Sequence, residues 1–235
     1  MGEVVAIHQP NFFPWLGYFD KIARSDIFVF LDEVQFPKKG GSWSNRVKLL
    51  ISGEAKWVTA PIERNYSGFR NINEMYFKED NWREKFLNTL KTNYSKNPFY
   101  DEAMEVIEPL IKNSEQNVAK YNVHAITEIA RKLDLDISKI RKSSEFSFQQ
   151  SSNELLCAVT KGVGGNIYMC GGGADGYQDE KIFKDSGLTL IFQNFVHPIY
   201  TQRENENVTQ GLSIIDAVMN LGWEEMKNSM EDKSS

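Results

Sequence analysis

The chain has 235 residues, of which 41% are hydrophobic and 25% are charged, so it can bury the core of one large domain and keep a soluble surface. Its net charge of -5 and its isoelectric point near 5.4 exclude broad nucleic-acid binding, which needs a basic face. No stretch approaches the roughly 20 apolar residues that span a bilayer, and the amino terminus lacks a signal-peptide pattern, so we expect a cytoplasmic protein without membrane insertion. Cys157 and Cys170 indicate reduced thiols rather than a disulfide framework or a zinc site.

The amino-terminal stretch predicts a βαβ unit. Val4 to Ile7 form a short apolar run that ends at His8, as in a buried strand that opens into a loop. Apolar residues at helical spacing follow between 15 and 23, and a second apolar run, Ile27 to Leu31, stops at Asp32. The two strands should be parallel neighbours, and ligands of such sheets bind beyond the carboxyl ends of the strands.

The middle of the chain predicts a hairpin followed by helices. Val47 to Leu50 and Trp57 to Ile62 are typical of strands joined by a turn at Gly53, and Ile72 to Phe77 is a third candidate strand; these pieces can extend the sheet. Apolar residues at helical spacing between 81 and 133 predict three helices. We therefore expect residues 81–150 to form a helical insertion packed on the core.

The last third returns to alternating strands and helices. A helix that begins near Ser152 precedes the strand Asn166 to Cys170, and a brief helix separates this strand from the next one, Leu188 to Phe192. A final helix is expected from Leu212 to Leu221, with a frayed polar tail over 224–235. The whole pattern predicts an α/β fold, a Rossmann-like and largely parallel sheet with flanking helices, whose core comprises residues 1–80 and 151–223.

Polar residues that interrupt the first strands form the first candidate site. His8 at a strand end can act as a general acid or base or hold a phosphate oxygen, and Asp32 can orient it. The alternative is a polar network that satisfies backbone groups in a proline-rich turn. The other members of this set are Gln9, Gln35, Asn45 and Arg46.

The glycine loop from Gly171 to Tyr177 forms the second candidate site. Consecutive glycines after a strand allow a ligand to approach the backbone closely, and their amides can cradle an anion, although a flexible turn fits the same pattern. Cys170 precedes the loop, as either a nucleophile or an inert strand-end cysteine.

A second histidine defines the third candidate site. His197 follows the strand Leu188 to Phe192, so it should face the same cleft as His8 if both strands share one sheet; otherwise the proline turn simply fixes it. Tyr200 and Gln202 lie close by in the sequence. No HxH or HExxH spacing supports a metal site. His124, on a predicted helix, is interpreted as a surface or core-edge histidine rather than a catalytic one.

The motifs together resemble those of the WbqC-like family. The resemblance rests on the opening IHQPNFFPWLGYFDKIARSDIFVFLDEVQFPKKGGSWSNR, on the strand and glycine loop from Tyr168 to Tyr177, on HPIYTQ and on LSIIDAVMNLG, in that order. It covers most of the chain and is weakest across residues 81–150. Members of the family have a serine at the position of Cys170 and a proline in the glycine loop, so this loop departs from the family pattern.

The resemblance implies acyl transfer in bacterial surface-polysaccharide biosynthesis, O-antigen especially. Some members of the family are described as glycine transferases that aminoacylate a nucleotide-linked amino sugar. On that basis we expect a nucleotide-sugar substrate and an acyl donor, either carrier-bound or activated with ATP, with His8, His197 and Asp32 as catalytic residues. The expected substrate-binding residues are Gln9, Asn11, Trp15, Tyr18, Lys21, Gln35, Trp43, Asn45, Arg46, Gly171, Gly172, Gly173, Tyr177, Tyr200 and Gln202.

Two other interpretations stay open at the sequence level. One is a nucleotidylyl-type or other sugar-nucleotide-modifying enzyme that uses the same cleft. The other is a non-catalytic binding protein of the same pathway, in which the polar strand ends form only a ligand pocket.

Overall fold

A computed structural model describes residues 2–78, 81–171, 178–203 and 208–231. The strands are β1 (Val4–His8), β2 (Ile27–Phe30), β3 (Arg46–Ile51), β4 (Glu54–Thr59), β5 (Ile140–Lys142), β6 (Ile167–Cys170) and β7 (Thr189–Phe192). The helices are α1 (Leu16–Ala23), α2 (Trp82–Tyr94), α3 (Tyr100–Lys112), α4 (Val118–Lys132), α5 (Ser152–Gly162), α6 (Glu180–Asp185) and α7 (Ile214–Glu231).

The centre of the fold is a five-stranded sheet in the order β5-β2-β1-β6-β7, in which all neighbouring strands are parallel. This sheet and its flanking helices confirm the predicted α/β fold. From β1 the chain first adds strands on one side, β2 and then β5, and later returns to the other side with β6 and β7. The direction of winding therefore reverses between β1 and β6, the place where open parallel sheets bind their ligands.

Successive side chains of the central strands belong alternately to two apolar clusters, so the core has two layers. Val5 and Ile7 of β1 join one apolar cluster, with residues of α5 and α6, while Ala6 joins the larger cluster built with the remaining helices. On β2 the same alternation places Val29 in the first cluster and Phe28 in the second. Because successive side chains of a strand point to opposite faces, both faces of the sheet are covered by helices.

The β3-β4 hairpin forms a sheet of its own instead of extending the central one. Its turn is the predicted one, with positive φ at Ser52 (51°) and Gly53 (75°), as tight hairpins require. The free edge of β3 is taken by other groups: the Ser213 amide donates to the Lys48 carbonyl at 2.9 Å, and the Leu50 amide donates to the Tyr94 hydroxyl at 2.8 Å. No edge is left there for the central sheet.

Two further elements differ from the sequence prediction. Ile72 to Phe77 is not a strand, since Ile72–Glu74 form a 3-10 turn held by a capping box at Asn71. β5, which the sequence analysis missed, lies within residues 81–150 and pairs with β2 at the edge of the central sheet. Its three residues, Ile-Arg-Lys, are too few and too polar to give a strand pattern.

The carboxyl-terminal helix continues beyond the predicted end. Gly222 breaks the helical geometry with φ 77° and ψ 169°, but α7 resumes and ends at Glu231. Trp223, Met226 and Met230 are buried on this second part, so the expectation that residues from 224 onward are frayed was wrong for 224–231. In the described part of the chain, no helix is long and apolar enough to cross a membrane.

Candidate active site

An open cleft of about 810 Å³ lies at the carboxyl ends of β1 and β6, where the winding of the sheet reverses. Its walls come from the loop after β1, from α1, from the end of β6 and from the segment after β7. The predicted site residues found on this cleft are His8, Gln9, Asn11, Trp15, Lys21, Trp43 and Gly171. Of the polar residues that directly follow the first two predicted strands, His8 and Gln9 line this cleft and Asp32 does not.

His8 is held as a neutral imidazole at the end of β1. Its Nδ1 lies 3.1 Å from the carbonyl oxygen of Gln9, which can only accept, so Nδ1 carries the proton and Nε2 keeps a free lone pair. The ring lies 4.6 Å from that of Tyr18, whose hydroxyl donates to the same Gln9 carbonyl at 2.9 Å. Burial, and secondly the neighbouring charge of Lys21, lower the pKa of His8 to about 3. The residue is thus a hydrogen-bond acceptor, and not a cation, at neutral pH.

Lys21 is a buried cation at the cleft, only 3% exposed on α1. Its Nζ makes one long hydrogen bond, 3.4 Å, to the Ile7 carbonyl, and no carboxylate of the described residues lies within ion-pair distance. Burial lowers the pKa of Lys21 to about 8, and the nearby Cys170 works against this lowering. A buried ammonium without a counter-ion is costly, so the residue is an unusual feature for a purely structural position.

The depressed pKa of Lys21 predicts a stability that rises with pH. Between the folded pKa of about 8 and the ordinary value of 10.5, the unfolded chain binds more protons than the folded one, so raising the pH favours folding. Relative to Lys21→Met, the wild-type free energy of unfolding should rise by about 2 to 3 kcal/mol from pH 7 to pH 10. Urea denaturation of both proteins measures this difference, in which the titration of the buried tyrosines cancels. Lys120→Met, at an exposed site, should show no such trend.

The end of β6 brings Cys170 and Gly171 to the cleft. Cys170 is buried, and its thiol donates to the Ile191 carbonyl at 3.4 Å on the neighbouring strand. No atom that the structure describes lies within 4 Å of the position that a Cβ on Gly171 would take, which leaves room there for a ligand against the backbone. The predicted residues Gly172, Gly173 and Tyr177 lie outside the described residues.

Gln193, which the sequence analysis missed, fixes the far wall of the cleft. It directly follows β7, and its backbone amide donates to the Cys170 carbonyl at 2.9 Å. Its side-chain amide donates to the Gly17 carbonyl and to Asp20 Oδ2, both at 2.7 Å, which ties the end of β7 to α1. The signal that identified His8, a polar residue immediately after an apolar strand, applies equally to Gln193.

Aromatic rings and carboxamides complete the walls. Trp15 packs edge-to-face on Phe195 at 5.2 Å, and Trp43 packs in the same manner on Trp57 at 4.7 Å. Trp43 remains 41% exposed, so it offers a free ring at the mouth of the cleft. Four carboxamide residues line the cleft among those that the structure describes: Gln9, Asn11, Gln193 and Gln210.

Asp32 and Gln35 lie away from this cleft. The Asp32 carboxylate accepts hydrogen bonds from the hydroxyls of Ser143 (3.0 Å) and Ser144 (2.7 Å), just after β5, so it joins two strand ends instead of orienting His8. It borders a separate, smaller cavity of about 280 Å³. Gln35 is exposed and forms an isolated bridge with Asn71.

Asn45 and Arg46 also serve the loops around the cleft and do not line it. Asn45 accepts from the Ser42 amide at 3.1 Å and donates to the Ala60 carbonyl at 2.9 Å, which closes the turn before β3. The Arg46 guanidinium lies over the Trp57 ring, 4.1 Å from its centroid, so it belongs to the same aromatic patch as Trp43.

His197, Tyr200 and Gln202 form a second group, built around the buried Asp216. Tyr200 donates to Asp216 Oδ2 at 2.7 Å and Gln202 donates to the same oxygen at 3.3 Å, while Tyr94 donates to Oδ1 at 3.0 Å. Burial raises the pKa of Asp216, and these hydrogen bonds oppose the rise. The His197 ring stacks on Tyr200 at 5.9 Å and is absent from the described lining of the cleft, so the expected meeting of His8 and His197 in one cleft does not appear.

No cluster of three or more histidine, cysteine, aspartate or glutamate side chains suited to a metal occurs within residues 2–78, 81–171, 178–203 and 208–231. The chemistry that the described cleft offers comes from a neutral imidazole, a buried ammonium, a thiol and amide groups. These groups can move protons, hold an anion and bind hydroxyls.

Comparison with known proteins agrees with the motif resemblance. The sequence profile of the WbqC-like protein family matches residues 9–228. The uncharacterized protein Rv1507c of Mycobacterium tuberculosis is 26% identical over 225 residues, which is 94% of either chain. No solved structure gives a significant match.

Proposed function

The chain belongs to the WbqC-like protein family, and from that premise we propose that it transfers an acyl group, an aminoacyl group such as glycyl, to the amino group of a nucleotide-linked amino-deoxy sugar. The product would enter bacterial surface-polysaccharide or O-antigen biosynthesis. The observation that carries the proposal is the composition of the cleft at the carboxyl ends of β1 and β6, which is rich in amides, bordered by tryptophans and supplied with one neutral histidine.

The walls of the cleft suit a sugar. Carboxamides both donate and accept hydrogen bonds, as ring hydroxyls do, and four such residues line the cleft within the described part of the chain, among them Gln9 and Asn11. Trp15 and Trp43 offer flat apolar surfaces against which a sugar ring can pack. A largely apolar wall that carries carboxamides and, among its described residues, a single lysine suits a carbohydrate better than a nucleic acid.

The nucleotide half of the substrate has a matching surface at the mouth. Trp43 lines the cleft and contacts Trp57, and Trp57 carries the Arg46 guanidinium at 4.1 Å and the Lys48 ammonium at 5.2 Å from its ring centroid. Exposed aromatic rings beside cations suit a nucleobase and its phosphates. In the proposal the sugar enters the cleft while the nucleotide rests on this surface.

His8 acts on the amine in the proposed reaction. The amine nitrogen attacks the acyl carbon, the bond from that carbon to the leaving group breaks, and one proton leaves the nitrogen. His8 Nε2, with its free lone pair, receives that proton, which is strongly acidic once the nitrogen is bonded to the acyl carbon. The low pKa keeps His8 neutral throughout the physiological pH range. Because it also makes the imidazole a weak base, the proton moves to Nε2 as the bond to the leaving group breaks, when the acylated nitrogen is most acidic.

The proposal is tested by mass spectrometry of the products. Purified protein is incubated with a nucleotide-linked amino sugar and with glycine plus ATP, or with a glycyl thioester, as donor. We expect the acylated sugar nucleotide to appear, and we expect His8→Ala to lower kcat/KM by about 100-fold or more, the usual contribution of a general base. The matched control, His124→Ala, changes an exposed histidine outside the cleft and should retain activity.

Two results contradict parts of the proposal. Hydrolysis of a nucleoside triphosphate without any acylated product would favour a nucleotidylyl-type enzyme. Acylation at the wild-type rate by His8→Ala would remove His8 from the reaction.

A further inference from the structure

Lys21 differs from the other cations of the protein in its surroundings. It is 3% exposed, it lines the cleft, and its Nζ has the Ile7 carbonyl at 3.4 Å as its one hydrogen-bond partner among the described residues. Other cations of low exposure have better partners: Lys139 Nζ donates to the Ser25 carbonyl at 2.7 Å, and Lys227 lies 2.8 Å from Asp134. A buried ammonium gains most when a negatively charged group of a ligand takes the place of the missing counter-ion.

The charge of the cleft limits what that group can be. Among the described residues that line the cleft, Lys21 is the one lysine or arginine, and His8 is neutral. The sequence of residues 172–177 and 204–207 contains no lysine or arginine either. One positive charge balances one negative charge, whereas a pyrophosphate buried there would keep most of its charge uncompensated.

We propose that Lys21 anchors a single monoanionic group of the ligand, a carboxylate or a phosphate diester, at the floor of the cleft. Gln9 borders the cleft with a side-chain amide that can donate to a bound oxyanion besides its ion pair, whereas both amide N–H groups of Gln193 are already used by Gly17 and Asp20. The multiply charged phosphates of a sugar nucleotide then remain at the mouth, near Arg46 and Lys48. This inference rests on the proposed function for the cleft and adds the charge class of the reacting half of the ligand.

Binding of the anion should be linked to the protonation of Lys21. The titratable groups that act on it are His8 on β1 and Cys170 on β6; Asp20, on α1 itself, is engaged by Gln193 and lies 3.6 Å from Arg24. An anion that pairs with the ammonium stabilises the protonated form, so it raises the pKa of Lys21 from its value of about 8. By linkage, the affinity for the anion falls up to tenfold per pH unit above that pKa.

The test is an NMR titration of the lysine side chains in the full-length protein, with the Lys21 signal assigned from its absence in Lys21→Met. Three probes are added separately: acetate, dimethyl phosphate and inorganic pyrophosphate. We expect acetate or dimethyl phosphate to raise the Lys21 pKa by about one unit or more, which is a tenfold tighter hold on the proton. The monoanion that raises the Lys21 pKa shows whether the site takes a carboxylate or a phosphate diester. In the control variant Lys120→Met, the Lys21 signal should titrate as it does in the wild type.

Three outcomes would overturn the inference. A Lys21 pKa near 10.5 in the free protein would mean that the ammonium already has a partner. An unchanged Lys21 pKa at saturating concentrations of both monoanions, or a larger shift with pyrophosphate than with either, would refute the single-charge site. None of these measurements involves acyl transfer, so the proposed anion site at Lys21 and the proposed reaction can be refuted independently.

Discussion

Replacing Asp216 with alanine is expected to lower the free energy of unfolding by about 3 to 5 kcal/mol. Asp216 is fully buried and accepts hydrogen bonds from Tyr94, Tyr200 and Gln202. The substitution removes the acceptor of three buried donors at once and leaves a cavity where the carboxylate was. Equilibrium unfolding in urea measures the loss.

A graded series of variants separates this network from simple loss of volume. Tyr200→Phe removes one hydroxyl and keeps the ring, so it should cost about 1 kcal/mol. Asp216→Asn keeps the shape but replaces one acceptor with a donor, so its effect should fall between the other two. A loss below about 1 kcal/mol for Asp216→Ala would show that the network contributes little to stability.

The second large effect concerns stability in acid. Folded His8 has a pKa of about 3 whereas the ordinary value is 6.5, so between these values the unfolded chain binds the extra proton and acid favours unfolding. The contribution of His8 is complete above pH 6.5 and is lost as the pH falls toward 3. Relative to His8→Asn, the wild type should lose up to about 3 kcal/mol of unfolding free energy from pH 7 to pH 4, less where solvent in the cleft screens the ring.

Denaturation of wild type and His8→Asn at several pH values provides the measurement. Carboxylates titrate in both proteins, so their contribution cancels in the difference. His124→Asn, at an exposed position, should follow the wild-type curve. Parallel curves for wild type and His8→Asn would mean that folded His8 titrates normally and is not held neutral by burial.

The pattern of apolar runs was sufficient to identify the parallel sheet and one wall of the cleft. Each of the runs Val4 to Ile7 and Ile27 to Leu31 ends abruptly at a polar residue, and the helical spacing between them specifies the crossover. His8 was found because a strand end in such a sheet is also a ligand-binding edge. Lys21 was expected only as one of the substrate-binding residues that the family resemblance implies, since no pattern in the sequence indicates burial of a lysine.

The order of the strands in the sheet cannot be deduced from the pattern of apolar runs, and this order explains why the position of Asp32 was predicted wrongly. Winding reverses between β1 and β6, so the cleft lies at the ends of these two strands. Leu31 after β2 still borders it, but the carboxylate of the next residue, Asp32, is bound by Ser143 and Ser144. The short strand β5 that brings these serines there had no apolar signature.

His197 was misplaced for a local reason. Gln193 occupies the position directly after β7, and Asn194 adopts a positive φ of 48°, a rare local turn of the backbone. His197 then packs against Tyr200 in the Asp216 network. Sequence spacing alone does not reveal a turn that depends on one residue in the left-handed region.

Hydrogen-deuterium exchange with and without a nucleotide-linked amino sugar tests most directly whether the cleft between β1 and β6 is the ligand site. We predict slower exchange on binding in three segments that meet at the cleft, residues 8–21, 168–171 and 193–195. Slower exchange confined to other segments, such as those around Asp32 and Ser144, would place the ligand elsewhere. Unchanged exchange throughout the chain at saturating sugar nucleotide would contradict the assignment of this substrate class.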